Sequence, residues 1–318
     1  MKCIAVLTSG GDSPGMNACI RAVVRYGISQ GLTVFGIKRG YQGLIEDDME
    51  LMSIRSVGNI IQQGGTFLKT ARCKEFKKDE VIDEAVKILR RRGIEGLVVI
   101  GGDGTFRGAE RLIERGILCA CVPATIDNNL FYTDYTLGFD TATNTVVDLI
   151  NRVRDTSLSH DRVFIAETMG AGCGDLALKA GLAAGADMVI VPEIHCEIDD
   201  IVKKLLYAKS QNKKFSMIVL SERVFDTNEL KKILTEKSGI ECRTIVFGHI
   251  QRGGSPSAFD RNLGTNFGVR AIQELMNHNC GVVGYKNGAY IFDSIDYALS
   301  VEQKFNYEEY KLIENLSI

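Results

Sequence analysis

The chain holds 318 residues, 45% of them hydrophobic and 25% charged, with a formal net charge of −2. One small core does not accommodate that length, so two lobes of unequal size are expected. The near-neutral balance excludes a general attraction to DNA, RNA or an anionic membrane. Any anionic ligand must be caught by local clusters of Lys, Arg and backbone N–H groups.

Cys3 to Thr8 is a short apolar run. It is too short for a signal-peptide core, and no run approaches the roughly 20 residues of a membrane span, so a cytoplasmic address is expected. After Ser9-Gly10-Gly11, Met16 to Gln30 shows helical spacing through Ala18, Ile20, Ala22 and Val23. A strand over Leu32 to Ile37 precedes the loop Arg39-Gly40-Tyr41-Gln42-Gly43. From Asp79 to Arg92, the residues Val81, Ile82, Ala85, Val86 and Leu89 form one helix face. Gly96 to Ile100 is a continuous apolar strand ending in Gly101-Gly102-Asp103-Gly104. All-apolar strands separated by helices indicate a parallel sheet covered on both faces.

The second half repeats this style. Ala142, Val146, Leu149, Ile150 and Val153 mark a long amphipathic helix, and strands are predicted at Val163 to Ala166, Met188 to Val191, Met217 to Leu220 and Thr244 to Phe247. Ser255-Pro256 reads as a helix start, with Ser as cap and Pro in the first turn. No Pro- or Ser-rich linker divides the lobes, so the chain is expected to cross between them more than once. Nine scattered cysteines without a C-x-x-C pair suggest reduced buried thiols rather than disulfides or a zinc site, and His195 and His278 are assigned to structure.

Open parallel sheets bind ligands beyond the carboxyl ends of their strands. Thr8 to Asn17 is Gly-rich there, and the helix after it presents free N–H groups and its positive dipole end. Gly101-Gly102-Asp103-Gly104-Thr105 places an acid between glycines, which suits a direct or water-mediated Mg²⁺ ligand. That loop is shared with NAD kinases and diacylglycerol kinases. Alone it says only that a nucleotide triphosphate is bound by a kinase.

Three further segments follow in order: Thr125-Ile126-Asp127-Asn128, Gly138-Phe139-Asp140-Thr141-Ala142, and Gly248-His249-Ile250-Gln251-Arg252-Gly253-Gly254-Ser255-Pro256. Together with the two Gly-rich loops they resemble the bacterial ATP-dependent 6-phosphofructokinases almost end to end. The resemblance implies two Rossmann-like α/β lobes with mainly parallel sheets, helices on both faces, and the active site in the cleft between them. The larger, ATP-binding lobe would hold residues 1–138 and a returning segment 252–303, and the smaller, sugar-phosphate lobe 139–251 and a C-terminal helix 304–318.

The resemblance also implies transfer of the ATP γ-phosphoryl group to the 1-hydroxyl of fructose 6-phosphate. Asp127 matches the catalytic base and Asp103 the Mg²⁺ carboxylate. Gly11, Arg72, Cys73, Gly102, Asp103, Gly104 and Thr105 fall on ATP contacts. On the sugar-phosphate side fall Thr125, Asp127, Asn129, Met169, Gly170, Ala171, Glu222, His249 and Arg252, with Arg162 and Arg243 reaching into a neighbouring subunit's site of a homotetramer. Arg21, Arg25, Arg154, Gly185, Asp187, Gln211 and Lys213 fall on an effector site between subunits that takes ADP or phosphoenolpyruvate. Pyrophosphate users carry Asp at Gly104 and Lys at Ala124, so the small residues here imply ATP. No nucleic-acid or membrane partner is implied.

Several positions depart from the family. Asn129 replaces an Asp, Ala171 an Arg, Lys69 a small residue, and Phe131-Tyr132 puts a bulky ring where glycine is usual; Asn59 and Gln211 depart at the effector site. The first four lie in loops expected near the transfer site, and Asn129 and Ala171 are expected to lower the transfer rate while leaving ATP binding intact. A weakened or nucleotide-sensing regulatory relative is the alternative, and a NAD or lipid kinase a further one.

Overall fold

The computed structural model describes residues 1–157, 162–213 and 215–317. Contacts divide the chain into unit 1 (Met1–Ile126, Leu130–Thr141, Arg252–Glu302) and unit 2 (Asp127–Asn129, Ala142–Gln251, Gln303–Ile318). The turn at residues 127–129 thus belongs to unit 2 although both flanks belong to unit 1.

The chain begins with β1 (Cys3–Thr8), α1 (Met16–Ser29), β2 (Thr33–Ile37), α2 (Gly40–Ile45) and β3 (Met49–Leu51). It continues through α3 (Asp79–Arg91), β4 (Gly96–Gly101), α4 (Asp103–Ile113), β5 (Leu118–Pro123) and α5 (Phe139–Ser157). Unit 2 then adds β6 (Val163–Thr168), α6 (Asp175–Ala183), β7 (Met188–Ile190), α7 (Ile198–Ser210), β8 (Ser216–Ser221), α8 (Thr227–Ser238) and β9 (Cys242–Val246). Last come α9 (Ala258–Met276), β10 (Gly281–Lys286), β11 (Ala289–Asp293), α10 (Ile295–Ser300) and α11 (Tyr307–Leu316). The expected C-terminal helix ends at Leu316, and Ile318 lies outside the described residues.

The sheet of unit 1 has the order β11-β10-β5-β4-β1-β2-β3, parallel except for its antiparallel edges β3 and β11. The sheet of unit 2, β7-β8-β6-β9, is wholly parallel. Strand alternation explains the layering. In unit 1, Ile4, Val6, Val98, Ile100 and Val122 pack in one core cluster with residues of α1 and α9. Ala5, Leu7, Leu97, Val99, Cys119 and Cys121 pack in a second with residues of α3 and α4. In unit 2, Ile165, Ile218 and Leu220 pack with Ile201 and Leu205 of α7 and Leu230 and Leu234 of α8. The expected parallel sheet with helices on both faces is present in unit 1.

Three local expectations are corrected. The Arg39 to Gly43 loop winds into α2, because Arg39 turns left-handed (φ 59) and starts a helix immediately. The last long helix starts one turn's fraction later than expected: Ser257 is the cap, its Oγ accepting from Asp260 N at 3.1 Å, whereas Ser255 Oγ donates to Gln62 O. Tyr132 is 2% exposed and belongs to the core of unit 1, its hydroxyl donating to Val282 O at 3.2 Å and its ring standing edge-on to Tyr297. A Cβ on Gly284 would fall 2.7 Å from that ring. This aromatic departure therefore packs in the core of unit 1.

One buried carboxylate holds the start of α5. Asp260, fully buried, accepts from Gly138 N (2.8 Å), Thr141 N (2.8 Å) and Thr141 Oγ1 (2.5 Å). Burial pushes its carboxyl up to about 6, while these donors pull the other way. The folded value thus exceeds the unfolded one of about 3.9, so its contribution to stability is complete below pH ~4 and is lost as pH rises through ~6. Urea unfolding should show wild type losing about 2–3 kcal/mol more than Asp260→Asn between pH 4 and 7. Equal losses would remove Asp260 as the titrating group.

Candidate active site

In unit 1 the strand order reverses between β1 and β4, the position where open sheets leave a crevice beyond their carboxyl ends. Both Gly-rich loops leave from there. Ser9 N donates to Ile100 O (3.0 Å), and Thr105 Oγ1 donates to Ser9 O (3.1 Å). Thr105 is buried, and its carbonyl accepts from Tyr41 Oη at 2.6 Å; that ring stacks on Phe76 at 4.0 Å. The hydroxyl of Thr105 therefore joins the two loops.

A second segment is tied to the first loop. Asn17, 1% exposed, donates from Nδ2 to Gln63 O (3.1 Å) and Gly64 O (3.2 Å), while its Oδ1 accepts from Phe67 N (2.6 Å). Thr8 Oγ1 donates to Lys69 O, and Thr70 Oγ1 to Gly10 O. These bonds fix the stretch that leads to exposed Arg72 and half-buried Cys73.

The glycines differ in why they are glycine. A Cβ on Gly11 would lie 1.7 Å from Arg252 Nη2, so the Arg252 guanidinium already covers that position. Arg252 donates to Asp12 O at 2.8 Å and to Asp12 Oδ1 at 3.4 Å. At Gly102 and Gly104 nothing lies within 4 Å of an added Cβ, and neither backbone is left-handed. The fold of unit 1 makes no demand for glycine there. A group arriving against the backbone would. Asp103 opens α4 as an exposed carboxylate, 3.2 Å from both Nε and Nη2 of Arg107.

Unit 2 presents its residues the same way. Met169, Gly170 and Ala171 follow the end of β6, Glu222 follows β8, and His249 lies in a 3₁₀ turn after β9. Glu222 Oε1 accepts from Ala171 N at 2.9 Å. Gln251, fully buried, accepts from Met169 N (3.2 Å) and donates to Gly248 O (2.9 Å), so it spaces the β6 loop from the His249 turn. Asn128 Nδ2 donates to Asp175 Oδ2 at 3.1 Å. Asp127 beside it is 7% exposed. Thr125, in unit 1, accepts from Thr136 Oγ1 at its carbonyl.

Arg162 and Arg243 stand apart from these. Arg162 precedes β6, and Arg243 pairs in register with Phe164 near the amino ends of β9 and β6. Six strand residues separate Arg162 from Met169, roughly 20 Å at ~3.3 Å per residue. Glu241 holds both guanidinium groups, 2.8 Å from Arg162 Nε and 2.5 Å from Arg243 Nη2. The Arg162 hydrogen bond, with both nearby cations, keeps its carboxyl below the usual range.

Of the effector residues, Arg154 donates to the carbonyls of Ala184 and Gly185, and Lys213 pairs with Asp187 and donates to Ser317 O. Asp187 also accepts from Met217 N at 2.6 Å. Gln211 is exposed at the end of α7. Arg21 and Arg25 lie on α1 in unit 1, where Arg25 Nε is buried without a hydrogen-bond partner among the described residues.

Of the left-handed non-glycine residues, Ala171 (φ 52) is a candidate site residue, while Asn128 (φ 52) and Arg223 (φ 70) adjoin Asp127 and Glu222. Such strain persists only where surroundings enforce it. Sequence reasoning assigned no role to Asn17, Gln251, Asp175 or Glu241. The signal available was polar character inside or beside the motifs, but their partners lie 47, 82, 47 and 79 residues away.

Comparison with known proteins gives a consistent answer. The phosphofructokinase family model matches residues 3–309. The ATP-dependent 6-phosphofructokinases of Alkaliphilus metalliredigens and Clostridium acetobutylicum are 54% and 53% identical to this chain, with complete coverage of both partners in each comparison. Among solved structures, phosphofructokinase from Saccharomyces cerevisiae superposes with a TM-score of 0.87 at 30% identity over 94% of this chain and 44% of that one. Pichia pastoris phosphofructokinase in the T-state gives 0.90 at 31% over 99% and 39%. With its motifs at the strand ends and relatives matched along their full length, this chain belongs to the phosphofructokinase family.

Proposed function

We propose that this chain transfers the γ-phosphoryl group of ATP to the 1-hydroxyl of fructose 6-phosphate, giving ADP and fructose 1,6-bisphosphate, as a cytoplasmic, allosterically regulated homotetramer. The observation that carries this is positional. The nucleotide motifs leave the carboxyl ends of β1 and β4, and the sugar motifs those of β6, β8 and β9. Ligand sites of open parallel sheets lie at those ends.

The loops of unit 1 take the nucleotide. Gly102 and Gly104 let phosphate oxygens approach the backbone, the start of α4 offers N–H groups, and Arg72 supplies a cation. The fold leaves space for a side chain on Gly104, so its absence answers to the ligand: an acidic group there would repel the α-phosphate of ATP. No cluster of three metal-ligating side chains exists among the described residues. Mg²⁺ commonly uses one or two carboxylates together with substrate phosphates and water, so exposed Asp103 suits it. When bound, Mg²⁺ would neutralise phosphate charge.

Asp127 accepts the proton of the 1-hydroxyl as that oxygen bonds to phosphorus and the bond to ADP breaks. Glu222 accepts from a sugar hydroxyl while Ala171 N–H orients its carboxylate. Arg252 and His249 hold the sugar phosphate, and Thr125, Met169 and Gly170 shape its pocket. Arg162 and Arg243 lie at the amino ends of β6 and β9, a strand's length from Met169 in their own subunit. That separation supports the reading that they serve a neighbour. Arg21, Arg25, Arg154, Gly185, Asp187, Gln211 and Lys213 would bind an anionic effector.

Asp127→Asn should lower kcat by about 10²–10⁴ in a coupled assay with ATP, Mg²⁺ and fructose 6-phosphate. Near-normal turnover would sink the assignment of the base. Mixed inactive subunits, Asp127→Asn with Arg243→Ala, should regain part of the activity after proven exchange; failure to do so argues for self-contained sites. Asn129→Asp with Ala171→Arg should raise kcat with little change in ATP affinity, because the restored charges act mainly in the transition state. Ala171 is exposed, so an arginine meets no packing barrier there. An unchanged kcat would mean that this chain stabilises the transferring group by other means.

A further inference from the structure

We infer that Asp175 is a positioning residue for Asp127, acting through the side chain of Asn128. The inference rests on the assignment of Asp127 as base.

The turn at residues 127–129 groups with unit 2 while Ile126 and Leu130 group with unit 1, so Asp127 lies next to residues held by contacts of unit 2. One side-chain bond in that turn runs from Asn128 Nδ2 to Asp175 Oδ2, 3.1 Å. Asn128 is 7% exposed and left-handed at φ 52, a conformation that asparagine tolerates but that few side chains adopt freely. Holding it costs free energy, and a bond to a carboxylate offsets that cost.

Asp175 is well suited to be the fixed end. It is the first residue of α6, directly after the Met169 to Gly174 loop. Gly174 N donates to Glu193 Oε1 at 2.8 Å, and Gln303 Nε2 donates to the same oxygen at 2.5 Å. A Cβ on Gly174 would fall 2.5 Å from Val191 Cβ, so the loop passes here at closest approach to its neighbour. One turn on, Lys179 pairs with Glu309 of α11 at 2.6 Å. Burial raises the Asp175 carboxyl, and the Asn128 bond pulls it back, as expected of a group whose partner matters to its charge. The Asp175 carboxylate also sits in the first turn of α6, where an acid stabilises a helix; that role alone would affect stability and not turnover.

The test uses the full-length oligomer with ATP, Mg²⁺ and fructose 6-phosphate, and the variants Asn128→Gly, Asp175→Ala, their double, Asp175→Asn and Asp127→Asn. Glycine adopts the left-handed backbone freely, removes the whole Asn side chain and leaves α6 intact, so it reports even where Asp175→Ala fails to fold. Asn128→Gly and Asp175→Ala should each lower kcat about 10- to 100-fold, the cost of a base displaced by about 1 Å, with the KM for ATP unchanged. The double variant should be no slower than the slower single, and Asp175→Asn should recover most of the rate because its amide oxygen still accepts from Asn128. A kcat for Asn128→Gly near wild type, or losses that multiply in the double, overturns the inference while a collapsed Asp127→Asn leaves the base assignment standing. Near-normal Asp127→Asn overturns both.

Discussion

Parallel strands share one direction, and that constraint decides which residues of this chain can act together. All ligand-facing loops of a parallel sheet leave from the same edge, so β1 and β4 deliver their Gly-rich segments side by side in unit 1. In unit 2, β6, β8 and β9 deliver Met169, Glu222 and His249 in the same manner. The same direction removes Arg162 and Arg243 from that group, because they lie at the amino ends of their strands. Under the proposed function, the sharing of sites between subunits would follow from strand polarity.

Several of the motif loops are fastened by buried polar side chains. Asn17 fastens residues 63–67, Gln251 fastens the Met169 loop to the His249 turn, and Asp260 fastens the start of α5. Asn17 and Asp260 each make three such bonds and Gln251 two, and buried polar groups satisfied in this way rigidify their surroundings. Removing one partner leaves the other unsatisfied, at a cost of about 1–3 kcal/mol.

The sequence made the layering legible because burial on both faces leaves a short continuous apolar run, as in Gly96 to Ile100, and its length and flanking glycines separate it from a buried helix. The motif loops were legible because glycine is rarely demanded by chance in so many ordered places. Side-chain partners far apart in the chain were not legible. Nothing local marks Asn17 for Gly64 or Asp260 for Thr141, which lie 47 and 119 residues apart. The aromatic departure at Tyr132 shows the same limit. Its place in the chain put it in a loop expected near the transfer site, and its ring packs in the core of unit 1, against Gly284.

Ala171 shows how a lost side chain and a kept backbone separate. Its φ of 52 is the left-handed conformation, and alanine gains nothing from it; the left-handed region costs an L-residue roughly 1 kcal/mol or more. Glycine would adopt it freely, and Gly172 beside it (φ 93) does. What the conformation secures is the aim of its N–H, which donates to Glu222 Oε1. The backbone at this position therefore orients the Glu222 carboxylate whatever side chain it bears. An arginine there would add a charge without changing that aim, and its replacement by alanine deletes the charge without releasing the loop. Under the proposed function, the backbone of residue 171 orients Glu222 while its side chain would be the place for a cation, so the two roles fall on different atoms of one residue.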